Sequence, residues 1–298
     1  MLLAAMGNCL GTEDAGGAAG VGAAFAAIPA QQTGGRAVSA RAEAWARTGI
    51  VGARALQLRD VPDAALQLGP RAKTVDLADN RISRVPEAAG GWTNATRIAI
   101  SNNELDGLPG AAVAGWSGNL RKLVLDRNRI QALPDAVGNL AKLEELDVSG
   151  NALAALPRSV GGLAKLRVLL LARNRLTVLA PELGLCLSLE VLDANDNAIA
   201  VIPSELGKLQ RLKCVQLNNN RVAAVPPELL HGCANLHTLE LRNNPIDHAV
   251  LSATDGFEAF EARRKERHGK MIDGGVMLGS KGLDEGVDRR AERFVPHT

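Results

Sequence analysis

The chain has no tyrosine, and aromatic residues make up only 2% of its 298 positions. A ring-lined ligand cage or a base-stacking surface is therefore not expected. Because hydrophobic residues still reach 46%, the core must be assembled from aliphatic side chains. Charge of one sign is missing as well: 34 Lys+Arg against 32 Asp+Glu leaves +2, without the cationic excess of a nucleic-acid binder. The four cysteines, Cys9, Cys186, Cys214 and Cys233, form no CxxC pair and are too sparse for a disulfide-stapled domain, so a reducing compartment is expected. No apolar run reaches the ~18 residues that span a bilayer. The start of the chain is rich in Ala and Gly, and Glu13 and Asp14 stand where a targeting peptide avoids acid, so no cleaved signal is expected. With few branched apolar side chains to offset the entropy of ordering, residues 1–46 are expected to be disordered.

Catalytic patterns are also lacking. His231, His237, His248, His268 and His297 form no HExxH and no Cys/His spacing for zinc. Glycine pairs such as Gly161-Gly162 fall outside any GxxxxGK[ST] phosphate loop, and the C-terminal tail has no cysteine for a thioester. The expectation is a protein that is not an enzyme, with no cofactor and no metal.

What the chain has is a repeat. Asparagine recurs at Asn80, Asn103, Asn128, Asn151, Asn174, Asn197, Asn220 and Asn244, at intervals of 23, 25, 23, 23, 23, 23 and 24. Five and three residues before each stand apolar pairs, from Val75/Leu77 to Leu239/Leu241, and two residues after it another apolar side chain, from Ile82 to Ile246. This is the leucine-rich-repeat signature LxxLxLxxNxL. Alternation over LxL makes a short strand with two side chains turned inward. One such coil cannot bury that face alone, whereas stacked coils form a parallel sheet over a continuous core. The pattern predicts an α/β fold, a right-handed leucine-rich-repeat solenoid with a parallel concave sheet over 47–251. Each Asn is expected to bond turn backbone at a strand end.

An apolar residue and proline follow most of the asparagines and open the convex side, from Val85-Pro86 to Val225-Pro226. Leu179-Ala180-Pro181 departs from this and suggests a locally shifted turn. Ala72 and Ala95 replace the Leu of later coils, which predicts looser packing there. Residues 48–70 read as a degenerate leading coil. Residues 252–298 read as a capping helix and flexible tail, with Thr254 or Asp255 as N-cap and Phe257 and Phe260 sealing the last coil. The basic run Arg263-Arg264-Lys265-Glu266-Arg267 could touch anionic lipid or be a solvated face.

Outward strand positions give the candidate binding residues: Asp126, Glu145, Asp147, Val168, Leu170, Val191, Asp193, Cys214 and Gln216. An exposed apolar patch at Val168, Leu170 and Val191 with a polar rim would suit a protein partner, and plain strand propensity explains the same residues as well.

The 23-residue coils with LP after the Asn turn resemble the Ras-group class of intracellular leucine-rich-repeat proteins. MGNCLG, RTGIV, GFEAFEARRK and MIDGGVMLGSKGLDEGVD are similar to plant relatives of leucine-rich repeat-containing protein fifty-seven. The resemblance implies a scaffold or adaptor in intracellular signalling, acting as a monomer on a protein partner and peripheral on the cytoplasmic side of a membrane. By analogy that partner belongs to small-GTPase signalling. From Met6 the chain fits the acylation motif MGxxx[ST], with Gly11 in place of Ser/Thr; Gly7 would carry myristate and Cys9 palmitate if translation began at Met6. An alternative reading is a regulatory subunit of a protein phosphatase with no membrane anchor.

Overall fold

The computed structural model describes residues 35–273, with side chains described over 41–266. Gly7, Cys9 and the tail from 274 lie outside the described residues. Each coil supplies one three-residue strand: β1 (Ile50–Gly52), β2 (Thr74–Asp76), β3 (Arg97–Ala99), β4 (Lys122–Val124), β5 (Glu145–Asp147), β6 (Val168–Leu170), β7 (Val191–Asp193), β8 (Cys214–Gln216) and β9 (Thr238–Glu240). All nine pair in parallel in chain order, with no crossover, so the sheet is an open ladder. The register matches like with like: Leu146 stands beside Leu169, and Leu169 beside Leu192. The inward columns are buried, except that Leu239 on the last strand is only partly so. Single 3₁₀ turns close most coils on the convex side, as at 135–139, 158–162, 181–185 and 204–208. Coils crowd there: a Cβ on Gly207 would lie 2.3 Å from the Glu228 carbonyl oxygen, so only glycine lets neighbouring turns approach this closely.

The eight asparagines make one continuous ladder. The Nδ2 of Asn174 donates to Leu171 O and Ala172 O of its own coil and to Val148 O of the coil before, at 2.9, 3.4 and 3.0 Å. Its Oδ1 accepts from Leu153 N at 3.0 Å. The same acceptance from the preceding coil recurs at every repeat asparagine, from Leu58 N on Asn80 to Val222 N on Asn244. The residue before each of these asparagines adopts positive φ, between 50° and 65°, which turns the chain out of the strand.

Several expectations need correction. A helix, α1 (Gly35–Thr48), runs through the boundary placed at 46, and Trp45 sinks into the core. The Ala/Gly-rich average concealed one anchoring ring in a helix-forming stretch. The leading coil is complete enough to carry β1, and its Leu56 and Leu58 amides both donate to Asn80 Oδ1. The turn at Leu179-Ala180-Pro181 is not shifted: its 3₁₀ helix begins at 181, in step with 158 and 204. Proline has moved from the position before the helix to its first residue, where its missing N–H costs nothing. Ala72 and Ala95 are both fully buried, and beside Ala95 the space is taken by rings. Trp92 and Trp116, both fully buried, stack at 6.4 Å with planes 9° apart. Their indole N–H groups donate to Ala65 O and Ala89 O at 2.9 and 2.8 Å.

Three further helices are α2 (Asp63–Leu66), α3 (Gly110–Gly115) and α4 (Pro227–Gly232). The C-terminal cover begins earlier than 252, with α5 (His248–Ser252), whose N-cap Asp247 accepts from Val250 N at 2.8 Å. The next helix, α6 (Phe257–Asp273), starts after Gly256 at φ 86° rather than at Thr254 or Asp255. Asp255 instead lies 2.9 Å from His231 Nε2. Phe260 is buried and Phe257 packs against the core beside it. Arg263 donates to Leu230 O and Leu236 O at 2.7 and 3.2 Å, satisfying carbonyls that the last coil leaves without a following coil.

Candidate interaction surface

Two outward rows cross the concave sheet. The first residue of each strand gives Thr74, Arg97, Lys122, Glu145, Val168, Val191, Cys214 and Thr238, and the third gives Asp76, Ala99, Val124, Asp147, Leu170, Asp193, Gln216 and Glu240. The nine candidate residues therefore do come together on adjoining strands, except that Asp126 lies two residues beyond β4. Val191 and Cys214 pack together, with part-buried Val168 against them.

The apolar patch is not the open surface expected from the sequence. Val191 is 2% exposed and Leu170 6%, and only Val168 is half-buried. On a concave sheet with strands ~4.8 Å apart, outward side chains converge and cover one another. Cys214 and Gln216 are buried for the same reason, while Asp126, Glu145 and Asp193 keep partial exposure.

Polar chemistry in the rows is specific. Lys122 Nζ sits 2.5 Å from the Glu145 carboxylate. Asp147 is fully buried: Oδ1 accepts from Ser149 N at 3.0 Å, and Oδ2 has no hydrogen-bond partner among the described residues. Burial, with smaller contributions from Asp126 and Glu145, pushes the Asp147 carboxyl up to about 6, against the pull of the Ser149 amide and the Ser149 side chain. Burial also raises Asp193, which accepts from Asn195 N at 3.0 Å.

One arrangement escaped the reading of outward strand positions. Arg121, Glu144, Arg167, Glu190 and Lys213 recur every 23 residues with alternating sign. Arg121 reaches Glu144 at 2.9 Å, and Glu190 is held by Arg167 and Lys213, both at 2.7 Å. Burial alone would raise the Glu190 carboxyl, but the two cations bring it below its ordinary value. The alternation was present in the spacing, in the column just before each strand. Side-chain amides also chain across the C-terminal concave edge, as from Asn219 to Asp196 at 2.5 Å and from Asn218 to Glu240 at 2.6 Å.

Away from the sheet, Cys186 and Cys233 are buried thiols that donate to Val160 O and Leu206 O, and burial pushes both up to about 11, far from a reactive thiolate. Among the described residues no group of three or more His, Cys, Asp or Glu could hold a metal ion, and no helix is long and apolar enough to cross a membrane.

Comparison with known proteins agrees with this geometry. Residues 118–176 match the leucine rich repeat family. The chain is 49% identical over 250 residues to plant intracellular Ras-group-related LRR protein 7 of Oryza sativa subsp. japonica, across 84% of this chain and 95% of that protein. It is 44% identical over 255 residues to protein 8 of the same name and plant, across 83% of this chain and 66% of that protein, just under two thirds. Among solved structures, the plant peptide hormone receptor RGFR1 in complex with RGF2 aligns with TM-score 0.56 and 27% identity, over 62% of this chain and 30% of the receptor chain. The functional domain of InlJ from Listeria monocytogenes aligns with TM-score 0.55 and 19% identity, over 65% of this chain and 39% of that one, and shows the shared fold alone.

Proposed function

The chain belongs to the plant intracellular Ras-group-related leucine-rich-repeat proteins, and we propose that it is a noncatalytic scaffold in intracellular signalling whose concave face holds a protein partner. The observation carrying this reading is the outward row Val124, Asp147, Leu170, Asp193 and Gln216. Its chemistry changes at every coil, while the inward columns beneath it stay aliphatic. Stacking needs only the inward columns, so the outward row is free to specify a partner, and the pairing of nine strands holds it in place without ordering cost at binding. The solved complex of RGFR1 with RGF2, on a related repeat frame, supports a polypeptide as the kind of ligand.

Acylation at Gly7 and Cys9 would hold the scaffold at the cytoplasmic face of a membrane. That part rests on the MGNCLG motif, and two lipid chains are needed because one gives only marginal binding. A component of small-GTPase signalling is the partner class that the family name suggests.

The test is affinity purification from plant cells with the natural chain and with a variant carrying Asp126→Arg, Val168→Glu and Glu240→Arg. These three side chains are only partly buried, so the fold should tolerate them. Loss of a distinct set of proteins supports the concave assignment, and recovery of the same set by both chains overturns it. Gly7→Ala in a parallel fractionation should release the protein from membranes, and an intact mass with unmodified Met1 would end the acylation proposal.

A further inference from the structure

Three aspartates occupy the third strand position: Asp76 on β2, Asp147 on β5 and Asp193 on β7. All three hold the same posture, with Oδ1 accepting at 3.0 Å from the amide two residues on, at Ala78, Ser149 and Asn195. They differ in what meets the other oxygen. Asp76 Oδ2 has an arginine from the neighbouring coil, with Arg54 Nε 3.3 Å away. Among the described residues Asp147 Oδ2 has no hydrogen-bond partner, although the residue is fully buried, and Asp193 has no ion pair, with Arg173 acting on it only from beyond contact.

Nearby cations are engaged elsewhere. Lys122 is on Glu145, Arg127 Nε lies 3.6 Å from Asp126, and Arg173 Nε lies 3.6 Å from Asp196. A buried carboxylate with an unmet acceptor costs free energy until a donor arrives, and a charged donor returns the most. Leu170 stands between the two aspartates in the row, with Val168 beside it in the same strand. Two strand spacings put the carboxylates ~10 Å apart, too far to share one metal ion but within reach of two long side chains on one polypeptide.

We propose that Asp147 and Asp193 receive two cationic side chains, arginine or lysine, from one basic segment of a partner protein, and that an apolar side chain between them packs on Leu170 and Val168. Arg54 on Asp76 is the intramolecular version of the same contact. This rests on the concave-face reading and adds the chemistry of the partner to it.

The experiment pans a random dodecapeptide display library on the full-length chain at neutral pH, then measures the enriched peptides on variants. The expected consensus has two Lys or Arg flanking an apolar residue. Affinity should fall about tenfold in Asp147→Asn and again in Asp193→Asn, and stay unchanged in Asp76→Asn, whose carboxylate is already served. Matching thermal melts keep a folding defect from imitating the result. Binding should also weaken as pH falls through about 6, where Asp147 takes up its proton beside Asp126, Glu145 and Lys122. Acidic or neutral consensus peptides, no enrichment of basic ones, or binding to either Asp147→Asn or Asp193→Asn that matches the natural chain overturns the proposal. Non-basic peptides that still lose affinity for Val168→Glu would leave the concave reading standing; peptides indifferent to every concave variant would remove both.

Discussion

The N-terminal coils and the central coils run on the same period but solve two problems differently. In the core, the central coils pair one leucine with another, Leu140 with Leu143 and Leu163 with Leu166, whereas one N-terminal coil pairs a large ring with a small residue, Trp92 with Ala95. On the concave face, the N-terminal aspartate Asp76 is matched by an arginine of its own chain, whereas among the described residues no ion pair reaches Asp147. Volume is thus conserved across neighbouring columns rather than within each. At the third strand position the charge is balanced internally on β2 and left open on β5, which is where the proposed partner would add a cation.

The core half of this comparison should break most sharply at the tryptophans. Trp92→Ala should cost about 3–5 kcal/mol in chemical denaturation, because it opens a cavity, unstacks Trp116 and leaves the Ala65 carbonyl without its donor. Making the first coils resemble the central ones one residue at a time should also fail: Ala95→Leu alone overpacks against Trp92 and should cost about 1–3 kcal/mol, and adding Trp92→Leu should recover most of it. If Ala95→Leu is neutral, the columns do not compensate each other.

The concave half can be sharpened by pH. Asp147 is raised to about 6 in the folded chain from 3.8, so the protein gains from its protonation: that advantage is full below pH 3.8 and is lost as pH rises through about 6. At neutral pH the charged form costs about 3 kcal/mol at 1.36 kcal/mol per unit. Asp147→Asn should therefore be more stable than the natural chain at pH 7, with the difference shrinking towards pH 4. Taking the difference between the two proteins removes other carboxylates such as Glu190, whose lowered value acts with the opposite sign. Equal stability at both pH values would show that the carboxylate is not desolvated.

The smallest effect should come from the alternating charges beside the strands. Arg121 is largely exposed and Glu144 partly so, and Arg121→Ala should change stability by less than about 1 kcal/mol, and less still in high salt. A larger loss would mean that this column stitches coils in earnest.

Much of this was legible in the chain. The eight asparagines, the strands before them and the convex turns after them repeat at one spacing, so each coil could be placed from its own residues. Phe257 and Phe260 were readable as a seal because rings are so scarce here. The reading failed where one position was answered by another column or by a local average. Ala95 looked like a void because Trp92 was not weighed with it, and α1 was hidden because Trp45 is a single ring in an Ala/Gly-rich stretch. The candidate site was legible as a set of adjoining residues, but not in its exposure. Val191 and Leu170 were taken as surface from strand alternation, which says which face a side chain takes and nothing about how closely its neighbours on that face crowd it.

The repeat, its direction of stacking and the identity of every ladder asparagine follow from the order of residues, because these depend on local spacing that each coil carries whole. Only the packed coils settle that Arg54 meets Asp76, that no counterpart among the described residues meets Asp147, and that Val124, Leu170 and Val191 of the concave rows are covered. Those outcomes depend on how far one coil sits from the next and how the sheet curves, a distance set by the packing of all coils together and written in none of them singly.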